Sequence, residues 1–399
     1  MEARVRGGVD RYHLRPQVQA LTISGTPPKI EKKRMLEKLR KKQRTSPVNL
    51  AESRPWADLP KELLEIFSKS NNLNVADFLN FGKVCRSWRL FYSETKNTFM
   101  ASKPPLVIYI PTRAKKSCYF YEITSLDTFK TKLPSLARNF CIGLSNGYLI
   151  MEDILTNVWV INPITGHELR YPRLFEAPNY LCCPDRAAFA SIGDAKDNFL
   201  LAVLSPVYHT LMFFVSRVNR WQEFSFKGKT WSIMDIVVFG GRIFCITSEY
   251  QIGVLSVKTC EVILLNLKGL PQLSDVQHVR FVASKNQLLI VDFSLRTYHL
   301  ELYTINFFKM EWVKVNHLRD EHEAIFLSEM SSRLNNTKKW GGESNCLYYL
   351  PFMDNTCYIS SLKGEIMGHF PIVKQQVALR MNGWYFPDQC FSIENVRDE

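Results

Sequence analysis

Paired strand-like runs dominate the sequence from Leu106 onward, and they restrict its fold more than any other feature. Short apolar stretches rich in β-branched and aromatic residues come in pairs, such as "PLVIYI" with "CYFYEI" and "GYLIME" with "VWVINP". This composition is typical of β-strands, and turn residues separate the runs. The pairs form a degenerate repeat of roughly 35–55 residues, with about four strand candidates in its clearer units.

A repeat of small antiparallel sheets favours a β-propeller, and about six units fit between Leu106 and Asp388. Two packed β-sandwich sheets are the structural alternative. Closure into a ring is preferred because open sheets built from so long a strand-rich region leave many unpaired edges.

The N-terminal region concentrates the positive charge of the chain. Residues 1–46 hold thirteen Lys and Arg against four acidic residues, which is +9 of the chain's net charge of +13. Such a tail is typical of a solvated, partly helical segment, of a nuclear import signal or of an organelle transit peptide. Direct nucleic-acid binding would have charge for phosphate neutralisation, but no base-reading motif accompanies it. The import-signal hypothesis rests on Lys32, Lys33, Arg34, Lys41, Lys42 and Arg44.

A short segment with helical periodicity separates the tail from the strand-rich region. Residues 45–56 are polar and contain two prolines, which indicates a linker. Apolar side chains then recur at helical spacing in "LPKELLEIF", and Asn74 is placed to cap a second helix. The stretch "VCRSWRLF" places Val84, Trp88 and Phe91 at i, i+4 and i+7, on one apolar face of a third helical element.

The order of apolar and special residues in this segment resembles an F-box. The residues that fall on the F-box pattern are Leu59, Pro60, Leu63, Leu64, Ile66, Phe78, Phe81, Val84, Cys85, Trp88 and Arg89. The resemblance implies docking onto a Skp-type adaptor, and through it onto a cullin–RING ubiquitin ligase of the SCF type. The residues that it implies at or just behind the adaptor interface are Leu59, Pro60, Leu63, Leu64, Ile66, Val84, Cys85 and Trp88.

The size of the segment supports a shared core. Roughly forty residues cannot bury enough apolar area to offset their conformational entropy. The apolar side chains therefore pack against something else. A separate adaptor is what the resemblance implies, and a small helical domain that packs on the rest of this chain is the alternative.

A second resemblance covers most of the strand-rich region. The stretch "LSNGYLIMEDILTNVWVINPITGHELRYPRL" is similar to the opening of the KIB-type propeller of plant F-box proteins, and "AIFLSEMSSRL" and "WYFP" are similar to its closing part. The pattern is carried by Ser145, Gly147, Tyr148, Leu149, Asn162, Pro163, Thr165, Gly166 and Pro172. Asn162-Pro163-Ile164-Thr165-Gly166 is expected to be a turn between strands, so these residues are structural rather than a binding site.

The candidate catalytic and metal-binding residues do not match known motifs in their spacing or expected secondary structure. The residues His317, Asp320, His322 and Glu323 lack the spacing of a helical zinc site, and "KGKT" lacks the first glycine of a phosphate-binding loop. "GLSNG" matches a nucleophile elbow, but a strand and not a helix is expected after its serine. The ten cysteines are scattered without a C-x-x-C pair, which indicates reduced, mostly buried thiols. We therefore predict no catalytic residue, metal or cofactor.

Together these features predict an α + β multidomain protein: a basic, largely disordered tail and linker (1–54), a short three-helix F-box (55–100) and a KIB-type β-propeller (101–399), with six blades. The predicted function is the non-catalytic substrate-recognition subunit of an SCF-type E3 ubiquitin ligase, in the nucleus and/or cytoplasm. Its partners are a Skp-type adaptor and a target protein that the sequence does not identify; neither a membrane nor nucleic acid is predicted as a partner. A nuclear nucleic-acid-associated module with a vestigial F-box is the alternative.

Overall fold

The computed structural model describes residues 55–69, 73–133, 139–174, 186–193, 198–205, 208–274, 278–284, 286–294, 299–373, 377–391 and 395–396. The chain divides into two compact units, Met1–Trp56 and Ala57–Glu399. A 3-10 turn, Pro55–Asp58, spans the boundary, and every other helix and strand named below belongs to the second unit. The predicted import cluster lies outside the described residues.

Among the described residues, three α-helices precede the strands: α1 (Lys61–Lys69), α2 (Val75–Phe81) and α3 (Arg86–Ser102). The predicted cap of α2 is confirmed, because the Asn74 side-chain carbonyl accepts a hydrogen bond from the Asp77 backbone N–H at 2.8 Å. Gly82 is the C-cap of this helix. The start of α3 differs from the expectation. Val84 lies in the preceding turn, because Cys85 adopts an extended backbone (φ −158°) and serves as the N-cap.

The strand-rich region forms 26 short strands in the described residues. The first thirteen are β1 (Leu106–Pro111), β2 (Ser117–Glu122), β3 (Thr128–Lys132), β4 (Asn139–Ser145), β5 (Tyr148–Asp153), β6 (Asn157–Ile161), β7 (Glu168–Arg173), β8 (Arg186–Ile192), β9 (Phe199–Ser205), β10 (Thr210–Val215), β11 (Arg220–Ser225), β12 (Ile233–Phe239) and β13 (Arg242–Thr247). The others are β14 (Ile252–Ser256), β15 (Glu261–Leu264), β16 (Val279–Ala283), β17 (Leu288–Ser294), β18 (His299–Asn306), β19 (Glu311–Val315), β20 (Glu323–Ser328), β21 (Ser332–Asn336), β22 (Cys346–Leu350), β23 (Thr356–Ser361), β24 (Ile366–Pro371), β25 (Leu379–Tyr385) and β26 (Asn395–Val396).

Most strands pair with their neighbours in sequence as antiparallel meanders. Strands β4–β7 and β12–β15 form four-stranded sheets, and β8–β11 form a third that β26 extends. A larger sheet has the order β19-β18-β17-β16-β21-β20-β22-β23-β24. In the remaining sheet the late strand β25 pairs with β1 in the order β25-β1-β2-β3, with Leu106 opposite Tyr385. Strand β25 therefore completes the sheet formed by the first three strands. The β-propeller predicted from the repeat is confirmed.

One loop connects several of these sheets. The loop between β20 and β21 contains the "SEMSS" part of the closing motif, and its Met330 carbonyl accepts a hydrogen bond from Leu144 of β4 at 3.0 Å. Ser331 donates its hydroxyl proton to the Trp384 carbonyl of β25 at 2.7 Å, and Ser332 donates to the Phe281 carbonyl of β16. Because β4, β16 and β25 belong to three different sheets, the loop lies where those sheets converge.

A buried carboxyl on β5 makes the stability of this fold depend on pH. Glu152 is 5% exposed, and burial, with a contribution from Asp153, raises its pKa to about 7. Between pH 4.5 and about 7 the folded protein keeps the proton on Glu152 while the unfolded chain loses it. The free energy of unfolding therefore falls as the pH rises through this range. We expect Glu152→Gln to increase the free energy of unfolding in urea by about 2.5 kcal/mol more at pH 8 than at pH 5. Equal effects at both pH values would contradict this, and Glu261→Gln at an exposed strand position is the control.

Candidate docking interface

The three helices have a small core of their own. Leu64 of α1, Phe81 of α2 and Phe91 of α3 are buried together. Trp88 packs on this core half-buried, with its ring centroid 4.7 Å from that of Phe81, and Leu59 is half-buried beside it. The indole of Trp88 therefore holds α2 and α3 together.

A second side of the helical unit belongs to the core of the propeller. Phe78 of α2 is fully buried and stacks on Phe99 of α3, with ring centroids 3.7 Å apart. Both rings lie in the same buried cluster as Leu106 and Ile108 of β1. The helical unit thus shares its core with the rest of this chain, as one of the two sequence interpretations expected.

The C-terminal segment adds to this contact. The Phe391 ring meets Tyr92 of α3 edge to face, at 6.5 Å, and the Lys96 ammonium lies 4.6 Å from the centre of the same ring. Helix α3 is therefore fixed from two directions, by β1 and by the segment that follows β25.

A third side of the helical unit remains exposed and apolar. Leu63, Ile66 and Phe67 of α1 are 41%, 65% and 49% exposed. They lie at i, i+3 and i+4, so they share one face of the helix. Val84 before α3 and Leu90 on α3 are also more than half exposed. We call Leu63, Ile66 and Phe67 the exposed apolar face, and exposed apolar patches are typical of surfaces that bind other proteins.

Polar contacts fix the start of α1 against the start of α3. The Ser87 hydroxyl donates to the Ala57 carbonyl at 3.0 Å, and the Lys61 ammonium lies 2.7 Å from the Glu94 carboxylate. The Cys85 thiol lies 3.0 Å from the Ser87 hydroxyl, and the hydrogen bonds to Ser87 and to the Trp88 backbone lower the pKa of this thiol. The residues before α1 are therefore held against the first turn of α3.

The structure divides the eight residues predicted for the adaptor interface into three groups. Pro60, Leu63, Ile66 and Val84 are exposed, Leu59, Cys85 and Trp88 are half-buried, and Leu64 is buried in the core of the helical unit. The residues predicted from the sequence for the adaptor interface did not include Phe67 or Leu90. The helical spacing of Phe67 from Leu63 could have identified it, whereas no pattern in the sequence distinguishes Leu90.

A cluster of charged side chains lies at the convergence of the sheets. Glu329 of the β20–β21 loop is 2.8 Å from Arg186 and 3.1 Å from Arg280, and Arg186 is 3.3 Å from Asp235. Burial raises the pKa of Glu329, but the guanidinium groups of Arg280 and Arg186 lower it below its usual range. The adjoining cavity is about 110 Å³, which is smaller than the roughly 300–1,000 Å³ of small-molecule sites. These residues join strands from different sheets, which is a structural role.

The "NPITG" turn also has a structural role. The Asn162 side-chain carbonyl accepts the backbone N–H groups of Ile164 and Thr165, and its amide group donates to the Cys390 carbonyl at 2.7 Å. Gly147 has a φ of +79°, and a Cβ added there would lie 2.6 Å from the Gln389 carbonyl oxygen. These two positions of the KIB pattern therefore hold the C-terminal segment in place.

The described part of the chain contains neither a metal-binding group of side chains nor a membrane-spanning helix. Within it, no group of three or more His, Cys, Asp and Glu side chains is arranged to hold a metal ion. Asp320 instead accepts hydrogen bonds from the His322 backbone and the Asn336 side chain. None of the described helices has the length and apolar character that crossing a membrane requires.

Comparison with known proteins identifies the family. The family model described as the KIB1-4 beta-propeller matches residues 120–371, which is more than half of the chain. The chain belongs to the KIB1-4 β-propeller family. The match begins inside β2 and ends with β24, so this KIB-type propeller includes most of the sheets described above.

Two individual proteins are similar to this KIB-type chain. A putative F-box protein from Arabidopsis thaliana is 26% identical over 127 residues, which are 30% of this chain and 31% of the relative. The chain thus spans about a third of the length of the curated relative it matches. The crystal structure of the β-propeller domain of Cps50 (Swd1) from Myceliophteria thermophila matches with a TM-score of 0.36 and 13% identity, over 65% of this chain and 82% of that domain. The family model and the Arabidopsis relative confirm the resemblance predicted from the sequence, to a plant F-box protein with a KIB-type propeller.

Proposed function

We propose that this protein is the substrate-recognition subunit of an SCF-type E3 ubiquitin ligase. In this role residues 55–100 act as an F-box that docks on a Skp-type adaptor, and residues 101–399 form the propeller that binds a target protein. The observation that carries the proposal is the exposed apolar face on a helical unit whose other side is packed into the propeller. Burying each large aliphatic side chain of that face in a complex contributes about 1.5–3 kcal/mol.

The contact between the helices and the propeller supports these separate roles in adaptor docking and target binding. Phe78 and Phe99 hold the helices on the propeller, so a target and an adaptor bound to the two parts would keep a fixed separation. Ubiquitin transfer then depends on positioning, and the chemistry belongs to the cullin–RING partners. The protein itself is a non-catalytic receptor in this proposal.

The strand pairing supports the finer proposal of six blades. Each blade has four strands: β25 with β1–β3, then β4–β7, β8–β11, β12–β15, β16–β19, and β20 with β22–β24. In the last blade β20 pairs with β22 in parallel, and β21 lies between this blade and β16. The nine-stranded sheet is then two blades joined through β21.

Reconstitution with purified components tests the proposal. The full chain, a Skp-type adaptor and the N-terminal domain of a cullin are mixed and separated by size-exclusion chromatography. We expect one peak that contains all three proteins, with the cullin recruited only when the adaptor is present. Elution of this chain apart from the adaptor would overturn the assignment.

The charge of the tail favours the second candidate function, a nuclear nucleic-acid-associated module. Its net charge of +9 over residues 1–46 suits phosphate binding. Titration of labelled DNA and RNA duplexes tests it. Binding that persists after deletion of residues 1–46 would assign any affinity for nucleic acid to another part of the chain.

The import-signal hypothesis leads to a separate prediction on localisation. We expect a fluorescently tagged full chain to accumulate in the nucleus, because clustered exposed cations are recognised by import receptors. Changing Lys32, Lys33, Arg34, Lys41, Lys42 and Arg44 to alanine should move it to the cytoplasm. Unchanged nuclear signal in this variant would remove the import role, and signal confined to an organelle would favour the transit-peptide alternative.

A further inference from the structure

Strand β3 has one edge to which no other strand of the described residues is paired. It is the terminal strand in the order β25-β1-β2-β3. Its side chains alternate between exposed and half-buried, and Thr128, Lys130 and Lys132 are the exposed ones. The strand contains neither a proline nor a bulge, two features that protect edges from pairing. The outer edge of β3 is therefore regular and open to solvent.

The backbone groups on this edge belong to the same three exposed residues. The N–H of Leu133, one residue beyond β3, donates to the Lys116 carbonyl at 2.9 Å. Hydrogen-bonded and non-hydrogen-bonded pairs alternate along an antiparallel ladder, and the pairing of β2 with β3 has no register shift. Thr128, Lys130 and Lys132 therefore lie in non-hydrogen-bonded pairs, and their N–H and carbonyl groups point away from β2 toward the open edge.

The charge around this edge is strongly positive. The two segments 112–119 and 128–133 contain five cations and no acidic residue. All five are exposed, and we call them the cationic edge: Arg113, Lys115, Lys116, Lys130 and Lys132. Residues 57–399 carry a net charge of only +4, so the cationic edge accounts for more than the whole net charge of that part of the chain.

The other outer strands differ from β3. Strand β7 contains Pro172, and β24 pairs irregularly with β23. The edge of β19 is partly occupied, because the Trp312 N–H donates to the Lys268 carbonyl at 3.0 Å. Strands β11 and β15 carry the exposed acids Glu223 and Glu261. Among these described outer strands, only β3 combines a regular open edge with cations and no acid.

The chemistry of the edge selects the kind of partner. Like charges directly opposite each other destabilise a strand pair, so the lysines of β3 disfavour pairing with a second copy of this chain. They favour a strand that has carboxylates at every second residue, about 7 Å apart on one face. Nucleic-acid phosphates would leave the outward carbonyls of β3 unpaired, because phosphate oxygens only accept hydrogen bonds. A peptide main chain supplies both donors and acceptors.

We propose that β3 binds an extended acidic segment of the target protein as an added strand, with its carboxylates opposite Lys130 and Lys132. The proposal rests on the proposed function for calling the partner a target, and it extends that function by naming the chemistry of the recognised segment. Strand β1 of the same sheet shares a core with the helices. The bound segment would therefore be held at a fixed distance from the adaptor.

Two peptide libraries displayed on phage provide the probe. Each contains 12-residue peptides, with Asp or Glu at every second position in one and Lys or Arg in the other. Both are selected on the full-length protein, and the most enriched peptide is titrated by calorimetry. We expect enrichment from the acidic library only. Changing Lys130 and Lys132 together to Gln should weaken binding about tenfold, because two cross-strand charge pairs are lost.

The basic tail supplies a matched control for this double variant. Changing Lys41 and Lys42 together to Gln removes the same charge from residues 1–46, and this protein should bind the peptide as the parent does. Equal weakening by the two double variants would show that the peptide responds only to net charge, which would overturn the proposal. Enrichment from the basic library, or from neither library, would also overturn it.

N-methylation of the peptide separates strand pairing from charge attraction. The N–H groups of an added strand face β3 at every second residue. Single N-methylation should therefore weaken binding at alternate residues and be tolerated at those between. An effect without this period of two would contradict strand addition. Binding of single-stranded oligothymidine in place of peptide, dependent on Lys130 and Lys132, would make the cationic edge a nucleic-acid surface instead.

The adaptor separates this inference from the proposed function. The variant with Gln at positions 130 and 132 should bind a Skp-type adaptor as tightly as the parent chain. A parent protein that binds the selected peptide at β3 but no adaptor would overturn the ligase assignment and leave the strand site standing. Adaptor binding without any peptide binding at β3 would do the reverse.

Discussion

Replacing Ile66 by aspartate should weaken binding of a Skp-type adaptor at least about thirtyfold. Ile66 is 65% exposed on α1, so the free protein loses almost no packing when it changes. In a complex the same position would be covered, and a carboxylate would then be desolvated without a partner. Loss of an anchor side chain alone costs on the order of 2 kcal/mol, which is about thirtyfold in affinity. The measurement is a calorimetric titration of the purified full chain with the adaptor.

The chain offers a matched control for this variant. Ile263 on β15 is 57% exposed and lies on an outer strand of the propeller, away from the helices. We expect Ile263→Asp to bind the adaptor as the parent does. Equal affinities of the parent and the Ile66→Asp variant would show that the exposed apolar face does not dock the adaptor. Leu64→Ala is a poorer test, because Leu64 is buried and its loss would weaken adaptor binding by unfolding the helices.

Replacing Phe78 by alanine should lower the free energy of unfolding by about 3–5 kcal/mol, the range found for large-to-small changes of buried aromatic residues. Phe78 is fully buried, stacks on Phe99 and lies in the core that the helices share with β1. The cavity left by its ring would therefore weaken the contact between the helical unit and the propeller. Urea unfolding followed by tryptophan fluorescence measures the change.

Phe308 provides the control for this second prediction. It is 95% exposed in the turn between β18 and β19, so Phe308→Ala should change the unfolding free energy by no more than about 0.5 kcal/mol. Limited proteolysis adds a local readout, since Phe78→Ala should speed cleavage between α3 and β1. A Phe78→Ala protein as stable as the Phe308→Ala protein would mean that the helices do not depend on the propeller.

The sequence by itself determined the local structure. Short runs of β-branched and aromatic residues separated by turns are enough to predict short paired strands, because strands buried on both faces, such as β9 and β10, have continuous apolar sequences. The Asn74 cap and the Asn162–Gly166 turn were equally local, since each depends on hydrogen bonds between residues two or three positions apart. The order of residues such as Gly147, Asn162 and Pro163 was also sufficient for the resemblance to the KIB-type propeller.

Only the tertiary structure decided which apolar residues are left for a partner. Leu64 and Ile66 lie two positions apart on α1 and are both apolar, yet one is buried and the other is 65% exposed. Their difference depends on Phe81 and Phe91, which come from other helices. Periodicity shows that a helix has an apolar face. It does not show which residues of that face are covered by neighbouring helices.

The same limit applies to the charged cluster where the sheets converge and to the contact that holds the C-terminal segment. Glu329 in "SEMSS" gives no sign of its pairing with Arg186, which is 143 positions away, and Asn162 reaches the carbonyl of Cys390 across 228 positions. Local patterns fix helices, strands and turns because their hydrogen bonds are short-range, whereas burial and charge pairing are fixed by residues that only the folded chain brings together.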